Sequence, residues 1–159
     1  MKIRLANKKD INGIMNLLRQ VLTVHSDKRP DIFKPNTTKY TDEELYYIIT
    51  NPLTPVFVAV DDEVVIGHCF CKFIQHSGDN SLTDIKTLYI DDLCIDENER
   101  GKHIGTALYE YALSFAKDNG CYNLTLNVWS CNPSAMKFYE AQGLVPQKVG
   151  MELILEETK

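Results

Sequence analysis

One segment in the second half of the chain, DDLCIDENERGKHIGTALYEYALSFAKDNG (residues 91–120), constrains the fold most. It joins an apolar strand to a turn with two glycines and two basic residues, then to an amphipathic pattern from Ile104 to Phe115 that predicts a helix. Gly120 marks the helix end, because glycine is favoured just past the last turn. The first N–H groups of a helix have no partner within it, so the turn is either an ordinary helix start or a phosphate-binding loop.

Two common phosphate-loop motifs do not fit this turn. A Walker loop requires glycine where Asp96 stands and serine or threonine where His103 stands. A dinucleotide-binding GxGxxG loop fails as well, because the spacing of Gly101 and Gly105 does not match it. The remaining interpretation is a strand–loop–helix in which the glycines let the backbone approach a pyrophosphate and the basic residues add positive charge.

The rest of the chain predicts helices and strands at regular intervals. Strands are predicted over residues 2–5, 55–60, 64–74, 87–95, 122–129 and 148–155. Helical spacing and capping residues predict four helices, which begin near Asn7, Thr41, Ile104 and Asn132. Residues 25–40 contain two prolines and no periodicity, so they are predicted to form a loop.

The resulting order, β-α-α-β-β-β-α-β-α-β, predicts an α+β fold. It is an α/β sandwich in which helices cover both faces of a mixed, mostly antiparallel sheet, with parallel pairing in the late β-α-β unit. A chain of 159 residues suits one domain with a substantial core, and no linker or repeat divides it. We therefore predict a single domain over residues 1–159.

Composition excludes several classes of protein. The net charge of −5 argues against binding to nucleic acid or to a membrane surface, since both favour a basic face. No apolar run approaches the ~20 residues that span a bilayer, and the first ten residues lack the apolar core of a signal peptide, so we expect a cytoplasmic protein. The five cysteines are scattered and no CxxC or HExxH pattern occurs, so we expect neither a disulfide framework nor a metal site.

Two motifs resemble those of the GNAT superfamily of acetyl-CoA-dependent N-acetyltransferases. RGKHIG at residues 100–105 resembles the R/Q-x-x-G-x-G/A loop, and NPSAMKFYEAQGL at residues 132–144 resembles the N-x-x-A-x-x-F-Y-x-x-x-G-F segment. The predicted element order is similar to that of the family over essentially the whole chain. Two residues depart from the motifs: His103 replaces the middle glycine, where we expect altered loop geometry, and Leu144 replaces an aromatic residue.

This resemblance implies acetyl transfer from acetyl-CoA to an amine by direct attack, without a metal. It implies that the backbone of one strand binds the pantetheine arm and polarises the thioester carbonyl, which by position falls on Leu93, Cys94 and Ile95. The residues implied for the pyrophosphate loop are Arg100, Gly101, Lys102, His103, Ile104, Gly105 and Thr106. Asn132 caps its helix and is implied to lie near the pantetheine amides.

Direct attack requires a group that accepts a proton from the acceptor ammonium. Asp91 and Asp92 are adjacent in a strand, which places them on opposite faces, so one of them faces the cleft. Asp92 is the candidate base, and Asp91 or a chain of waters is the alternative. Cys94 as a covalent nucleophile is the less favoured mechanism, because nothing in the sequence places a base beside it.

The departing thiolate of CoA must gain a proton, and Tyr139 is the candidate acid. It shares a helix face with Asn132, and the helix starts beside the cofactor if the resemblance holds. The alternative is that Tyr139 packs against Phe138 as an aromatic pair.

The acceptor is expected to meet residues 25–40. The polar and aromatic candidates of this segment are His25, Arg29, Asp31, Phe33 and Tyr40. They define no particular substrate, so a small-molecule amine and a peptide amine both stay open, and the resemblance also allows a homodimer. The alternative to an enzyme is a non-catalytic acyl-CoA-binding sensor module, and a purely structural subunit would not need the phosphate loop.

Overall fold

The computed structural model describes residues 1–156, which form two compact units, Met1–Asn127 and a second that begins at Val128. The strands are β1 (Lys2–Leu5), β2 (Val56–Asp61), β3 (Val64–Gln75), β4 (Lys86–Ile95) and β5 (Asn123–Leu126). The helices are α1 (Ile11–Lys28), α2 (Asp42–Thr50), α3 (Ile104–Asp118) and α4 (Pro133–Ala141). The predicted single domain over 1–159 includes residues 157–159, which lie outside the described range, and it stays a prediction.

The five strands of the first unit form one sheet in the order β1-β2-β3-β4-β5. The first three neighbouring pairs are antiparallel, and β5 runs parallel to β4. The prediction of a mixed, mostly antiparallel sheet is therefore confirmed, including the parallel pairing in the late β-α-β unit.

Helices cover both faces of this sheet, because alternate residues of β2 face opposite sides. Val56 and Val58 are fully or almost fully buried in a core cluster that includes Leu17 of α1 and Leu45 of α2. Between them, the ring of Phe57 contacts the rings of Tyr111 and Phe115 of α3 at centroid distances of 5.0 Å. The sheet thus has an α1/α2 face and an α3 face.

Helix α1 begins after the predicted cap, but it ends later in the chain than predicted. Asn7 and Asp10 form a capping box in the 3-10 turn before the helix. The helix then continues to Lys28, so the prediction of a loop from residue 25 is wrong for its first turn. Pro30 explains the true boundary, because a proline disfavours the helical conformation of the residue before it, and Arg29 has left the helix with φ −133° and ψ 69°.

The caps predicted for α2 and α4 are present. The hydroxyl of Thr41 accepts a hydrogen bond from the Glu44 N–H at 3.2 Å, and the side chain of Asn132 accepts one from Ala135 N–H at 3.3 Å. Gly143 has a φ of +93° just past α4, and its N–H donates to the Glu140 carbonyl at 3.0 Å. A left-handed residue there is what ends a helix in this way, which explains the glycine.

The strand predicted over residues 148–155 is not formed, and the strand predicted over 122–129 shortens to β5. Residues 144–156 contain no strand, and Leu153 and Leu155 are 82% and 87% exposed. Alternating apolar residues form a strand only where another strand supplies backbone partners. Within the described part of the second unit, α4 is the one regular element, so the segment has no strand partner in its own unit.

Candidate functional site

A β-bulge in β4 shapes the α1/α2 face of the sheet. Phe70 of β3 pairs with Asp92, while the next residue, Cys71, pairs with Ile90. Asp91 is therefore an extra residue in β4, so that the alternation of faces is interrupted at this point. The bulge therefore changes the faces on which the Asp91 and Asp92 side chains lie.

The side chains of Asp91 and Asp92 lie on the same face, so the prediction that they occupy opposite faces is wrong. The Tyr40 hydroxyl lies 3.3 Å from Asp91 Oδ2, and the Tyr40 ring stacks on Phe70 at 5.9 Å. His68 reaches Asp92 and also meets the Phe70 ring edge-on at 4.9 Å. Two carboxyl groups thus project next to each other from the same face of β4.

Asp92 is paired with His68, a residue that the sequence analysis did not select. His68 Nε2 lies 2.6 Å from Asp92 Oδ2, and the two side chains are 0% and 15% exposed. His68 Nδ1 is buried with no hydrogen-bond partner among the described residues. A buried N–H without an acceptor is costly, so we assign the proton to Nε2, which donates it to the Asp92 carboxylate.

Asp91 is paired with Lys39, which was also not among the site residues predicted from the sequence. Lys39 Nζ lies 2.7 Å from Asp91 Oδ2 and 5.4 Å from the centre of the Tyr40 ring. Burial lowers the pKa of Lys39, but the hydrogen bond and the charge of Asp91 outweigh it, and the net pKa is raised. Lys39 is therefore an ammonium at neutral pH. Burial raises the pKa of Tyr40, which stays a neutral phenol.

The predicted acceptor segment supplies some of its residues to this site. The rings of His25 and Phe33 stack at 4.9 Å. Burial lowers the pKa of His25 against the opposing charge of Asp92, so the imidazole is neutral at neutral pH. Arg29 and Asp31 form an ion pair with each other at 2.7 Å, which shapes the loop.

The backbone of β4 is open on one side after the bulge. The parallel ladder with β5 ends at the pair Ile90–Leu126, and no strand within residues 1–156 pairs with that edge of Asp91–Ile95. Backbone N–H and C=O groups on an unpaired edge are available to an extended ligand. The predicted pantetheine residues Leu93, Cys94 and Ile95 lie in this open section.

The environment of Cys94 disfavours a nucleophilic role for its thiol. Its thiol donates to the Leu17 carbonyl at 3.6 Å, and its side chain is buried against α1. Burial and the charge of Asp92 raise the pKa of Cys94 to about 12. Since the thiolate is the reactive form, the structure argues against a covalent mechanism through this residue.

The loop after β4 leads into α3 through two residues with left-handed backbone. Gly101 has a φ of +80° and His103 a φ of +61°. The first helical hydrogen bond runs from the Ala107 N–H to the His103 carbonyl at 3.1 Å. The N–H groups of Gly105 and Thr106 precede that bond and have no partner inside the helix.

The two basic residues expected to supply positive charge to this loop, Arg100 and Lys102, differ in their surroundings. Lys102 pairs with Glu99 at 2.6 Å, so its ammonium is shared with a carboxylate, whereas Arg100 is exposed. Exposed pairs of this kind contribute at most about 1 kcal/mol, so a phosphate can compete for Lys102. The side chain of Gln20 in α1 bonds Asp96 at 3.2 Å, which ties the start of the loop to α1.

The second unit carries the other two predicted site residues. Asn132 is the N-cap of α4, as expected. Tyr139 is half-buried in α4, and its ring meets the Phe138 ring edge-on at 5.0 Å. This ring contact is the one expected of an aromatic pair, and it is also compatible with a hydroxyl that serves as an acid.

Residues 1–156 contain neither a metal-binding cluster nor a membrane-spanning helix. No group of three or more histidine, cysteine, aspartate or glutamate side chains in this range is arranged to hold a metal ion. None of its helices is long and apolar enough to cross a bilayer.

The chain is similar to known acetyltransferases. The sequence profile described as "Acetyltransferase (GNAT) family" matches residues 19–144. Glucosamine 6-phosphate N-acetyltransferase of Arabidopsis thaliana is 26% identical over 152 residues, which cover 94% of this chain and 91% of that protein. N-alpha-acetyltransferase 30 of Schizosaccharomyces pombe is 35% identical over 92 residues, 58% of each chain.

A solved structure has nearly the same fold. The tetramutant of the BH1408 protein from Bacillus halodurans superimposes with a TM-score of 0.92 and is 31% identical. The match covers 98% of this chain and 100% of that chain.

Proposed function

Because the chain belongs to the acetyltransferase (GNAT) family and is an acyltransferase, we propose that it moves an acetyl group from acetyl-CoA to a primary amine by direct attack. The observation that carries this proposal is the pair of carboxylates, Asp91 and Asp92, on one face of the β4 bulge. They lie directly before the open backbone edge at Leu93. An ammonium and a thioester are the two groups that this arrangement would bring together.

Acetyl-CoA would bind along the open edge of β4 and at the start of α3. The backbone of Leu93, Cys94 and Ile95 would take the pantetheine amides and polarise the thioester carbonyl. The free N–H groups of Gly105 and Thr106 and the helix dipole would take the pyrophosphate. The residues we assign to that loop are Arg100, Gly101, Lys102, His103, Ile104, Gly105 and Thr106.

Asp92 would accept the proton of the acceptor ammonium, and His68 would position it. The His68 N–H occupies one carboxylate oxygen at 2.6 Å, which leaves the second oxygen to face the amine. A short hydrogen bond from a buried donor fixes the orientation of the carboxylate. His68 itself reaches no substrate in this scheme, so it is a positioning residue.

The leaving thiolate would be protonated by Tyr139, and Asn132 would bind the pantetheine arm. Both assignments rest on the family resemblance of the segment from Asn132 to Leu144 and on its helix caps. An acid that strengthens its hydrogen bond as charge develops on sulfur lowers the barrier for C–S cleavage.

The acceptor is proposed to be a cationic small-molecule amine. Two carboxylates stabilise an ammonium and disfavour an anionic group beside it. One relative is named for glucosamine 6-phosphate and another for acetylation of an α-amino group. A peptide amine is therefore the second candidate acceptor. A homodimer and a cytoplasmic location, the latter inferred from the free cysteines, are also proposed.

Release of the CoA thiol in the presence of a panel of amines tests the proposal. The panel would contain an amino sugar, an amino sugar phosphate, a polyamine, an aminoglycoside and a short peptide with a free N-terminus. At least one amine is expected to stimulate thiol release, and Asp92→Asn to lower kcat/KM by about 10²-fold. Asp118→Asn, which changes an exposed carboxylate at the end of α3, is the matched control and should behave as wild type.

The outcome that contradicts the proposal is specific. A sensor module would bind acetyl-CoA in calorimetry and release no thiol with any amine. A protein that neither binds acetyl-CoA nor releases thiol would contradict both the enzyme and the sensor.

A further inference from the structure

The chain places one of its own ammonium groups on the carboxylates of the proposed acceptor site. Lys39 Nζ lies 2.7 Å from Asp91 Oδ2. The charges of Asp91 and Asp92 both act on it, as expected for a group over the bulge. The acceptor ammonium of the proposed reaction would lie beside the same two carboxylates.

The position of Lys39 is fixed by its neighbour. The Tyr40 ring stacks on Phe70, and its hydroxyl shares Asp91 Oδ2 with the lysine. Thr41 then caps α2, so the backbone on the C-terminal side of Lys39 is anchored as well. The Lys39 side chain itself is 45% exposed, so solvent reaches part of it.

The proposed thioester site follows Asp91 closely along β4. Asp91, the bulged residue that holds the Lys39 amine, is two residues before Leu93, where the open backbone edge would take the thioester. The flexible four-carbon stem of a lysine lets its amine turn from one group to a neighbouring one.

We propose that Lys39 Nζ is an internal acceptor, which takes the acetyl group in cis when acetyl-CoA is bound and no other amine is present. This inference rests on the proposed function, because it requires acetyl-CoA on the edge of β4. It identifies Lys39 as a modification site of the protein. A free acceptor that binds beside Asp91 would compete with Lys39 for that carboxylate.

The proposed step conserves atoms and charge. The Lys39 ammonium first gives one proton to a carboxylate or to water, and the free lone pair then attacks the thioester carbonyl carbon. The N–C bond forms, the C–S bond breaks, and CoA leaves as a thiolate that takes up one proton. The balance is one ammonium and one acetyl-CoA converted to one amide, one CoA thiol and one released proton. The acetylated side chain has no charge and cannot maintain its ion pair with Asp91.

Mass spectrometry of the full chain with acetyl-CoA alone tests the proposal. We expect one acetyl group, mapped to Lys39, with a first-order rate constant that is unchanged when the protein is diluted tenfold. Lys34, an exposed lysine of the same segment, is the internal comparison and should stay at background. Lys39→Arg keeps a cation for Asp91 and should abolish the modification, whereas the control Lys34→Arg should leave it unchanged.

Asp91→Asn tests the carboxylate that holds the amine. It should slow acetylation of Lys39 by about tenfold or more. Loss of the charge of Asp91 also removes a cause of the raised pKa of Lys39 and so favours the free amine, and slowing despite this change would show that Asp91 acts by holding the amine in place. Equal acetylation of Lys34 and Lys39, or a rate that scales with protein concentration, would overturn the proposal.

The failure of this inference is distinguishable from failure of the proposed function. An unmodified Lys39 in a protein that acetylates an amine of the panel refutes the internal acceptor and leaves the enzyme intact. An unmodified Lys39, no transfer to any amine and no acetyl-CoA binding by calorimetry refute both.

Discussion

His68 Nε2 lies 2.6 Å from Asp92 Oδ2, while the other ring nitrogen of His68 is buried with no hydrogen-bond partner among the described residues. Nε2 therefore forms a hydrogen bond with Asp92, whereas Nδ1 forms none with residues 1–156. We infer that His68 orients the Asp92 carboxylate through this one hydrogen bond.

Replacing His68 should lower the rate of the chemical step. His68→Leu removes the donor that orients the Asp92 carboxylate. We expect kcat at pH 7 to fall by about 10-fold to 10²-fold with the KM for acetyl-CoA unchanged, because a base that is not held in place takes the proton less efficiently.

His68→Gln is the matched control, since its side-chain N–H can reach the Asp92 carboxylate. It should restore kcat towards the wild-type value. A wild-type kcat in His68→Leu, with only the free energy of unfolding lowered, would show that His68 contributes packing and does not position Asp92.

The left-handed backbone at His103 makes a prediction about stability. At a φ of +61° a residue with a Cβ is strained and glycine is not. His103→Gly should therefore be more stable than His103→Ala by about 1 kcal/mol, measured by urea unfolding. Both variants remove the same exposed ring, so the comparison isolates the backbone. Equal stabilities would mean that the loop relaxes to another conformation.

His103 also shows which local features of the fold could be predicted from the sequence. The family motif has glycine where His103 stands, and altered loop geometry was expected there. His103 adopts a left-handed conformation that is usual for glycine, and histidine is among the residues that tolerate it. The expected change in loop geometry stays a prediction. The caps at Asn7, Thr41 and Asn132 were also predictable, because each depends on residues within a few positions of one another.

What the sequence could not predict depends on contacts between distant residues. The bulge at Asp91 exists only relative to the register of β3, so the alternation rule misplaced one carboxylate. Lys39 meets Asp91 across 52 residues of chain, and no local pattern marks that pair. His68 was indistinguishable from an ordinary strand residue, since its partner is 24 residues away.

The Arg4–Asp10 pair predicts the acid sensitivity of the fold. Asp10 is buried, accepts from Arg4 at 2.7 Å and caps the Asn7 N–H. Burial alone would raise the pKa of Asp10, but Arg4 and the Asn7 N–H outweigh it and the net pKa is lowered. A lowered folded pKa contributes stability that is present above the unfolded value, about 3.9, and lost as the pH falls through the folded pKa.

Asp10→Asn should therefore destabilise the protein by about 1–2 kcal/mol at pH 7 and by less below pH ~4. Urea unfolding of both proteins at pH 7 and at pH 3 measures the two differences. Asp118→Asn at an exposed position is the control. A difference that is the same at both pH values would show that the carboxylate charge contributes nothing.

Tyr139→Phe tests the proposed acid while preserving the aromatic contact. The edge-on contact with Phe138 at 5.0 Å involves only the rings, so the variant keeps it and removes the hydroxyl alone. If the hydroxyl protonates the leaving thiolate, kcat should fall by about 10²-fold with the affinity for CoA nearly unchanged, because the acid acts in the transition state. Steady-state kinetics and calorimetry with CoA measure the two quantities, and Tyr122→Phe, at a residue that is 75% exposed, is the matched control. A wild-type kcat in Tyr139→Phe would mean that solvent protonates the thiolate and that Tyr139 serves packing within the second unit.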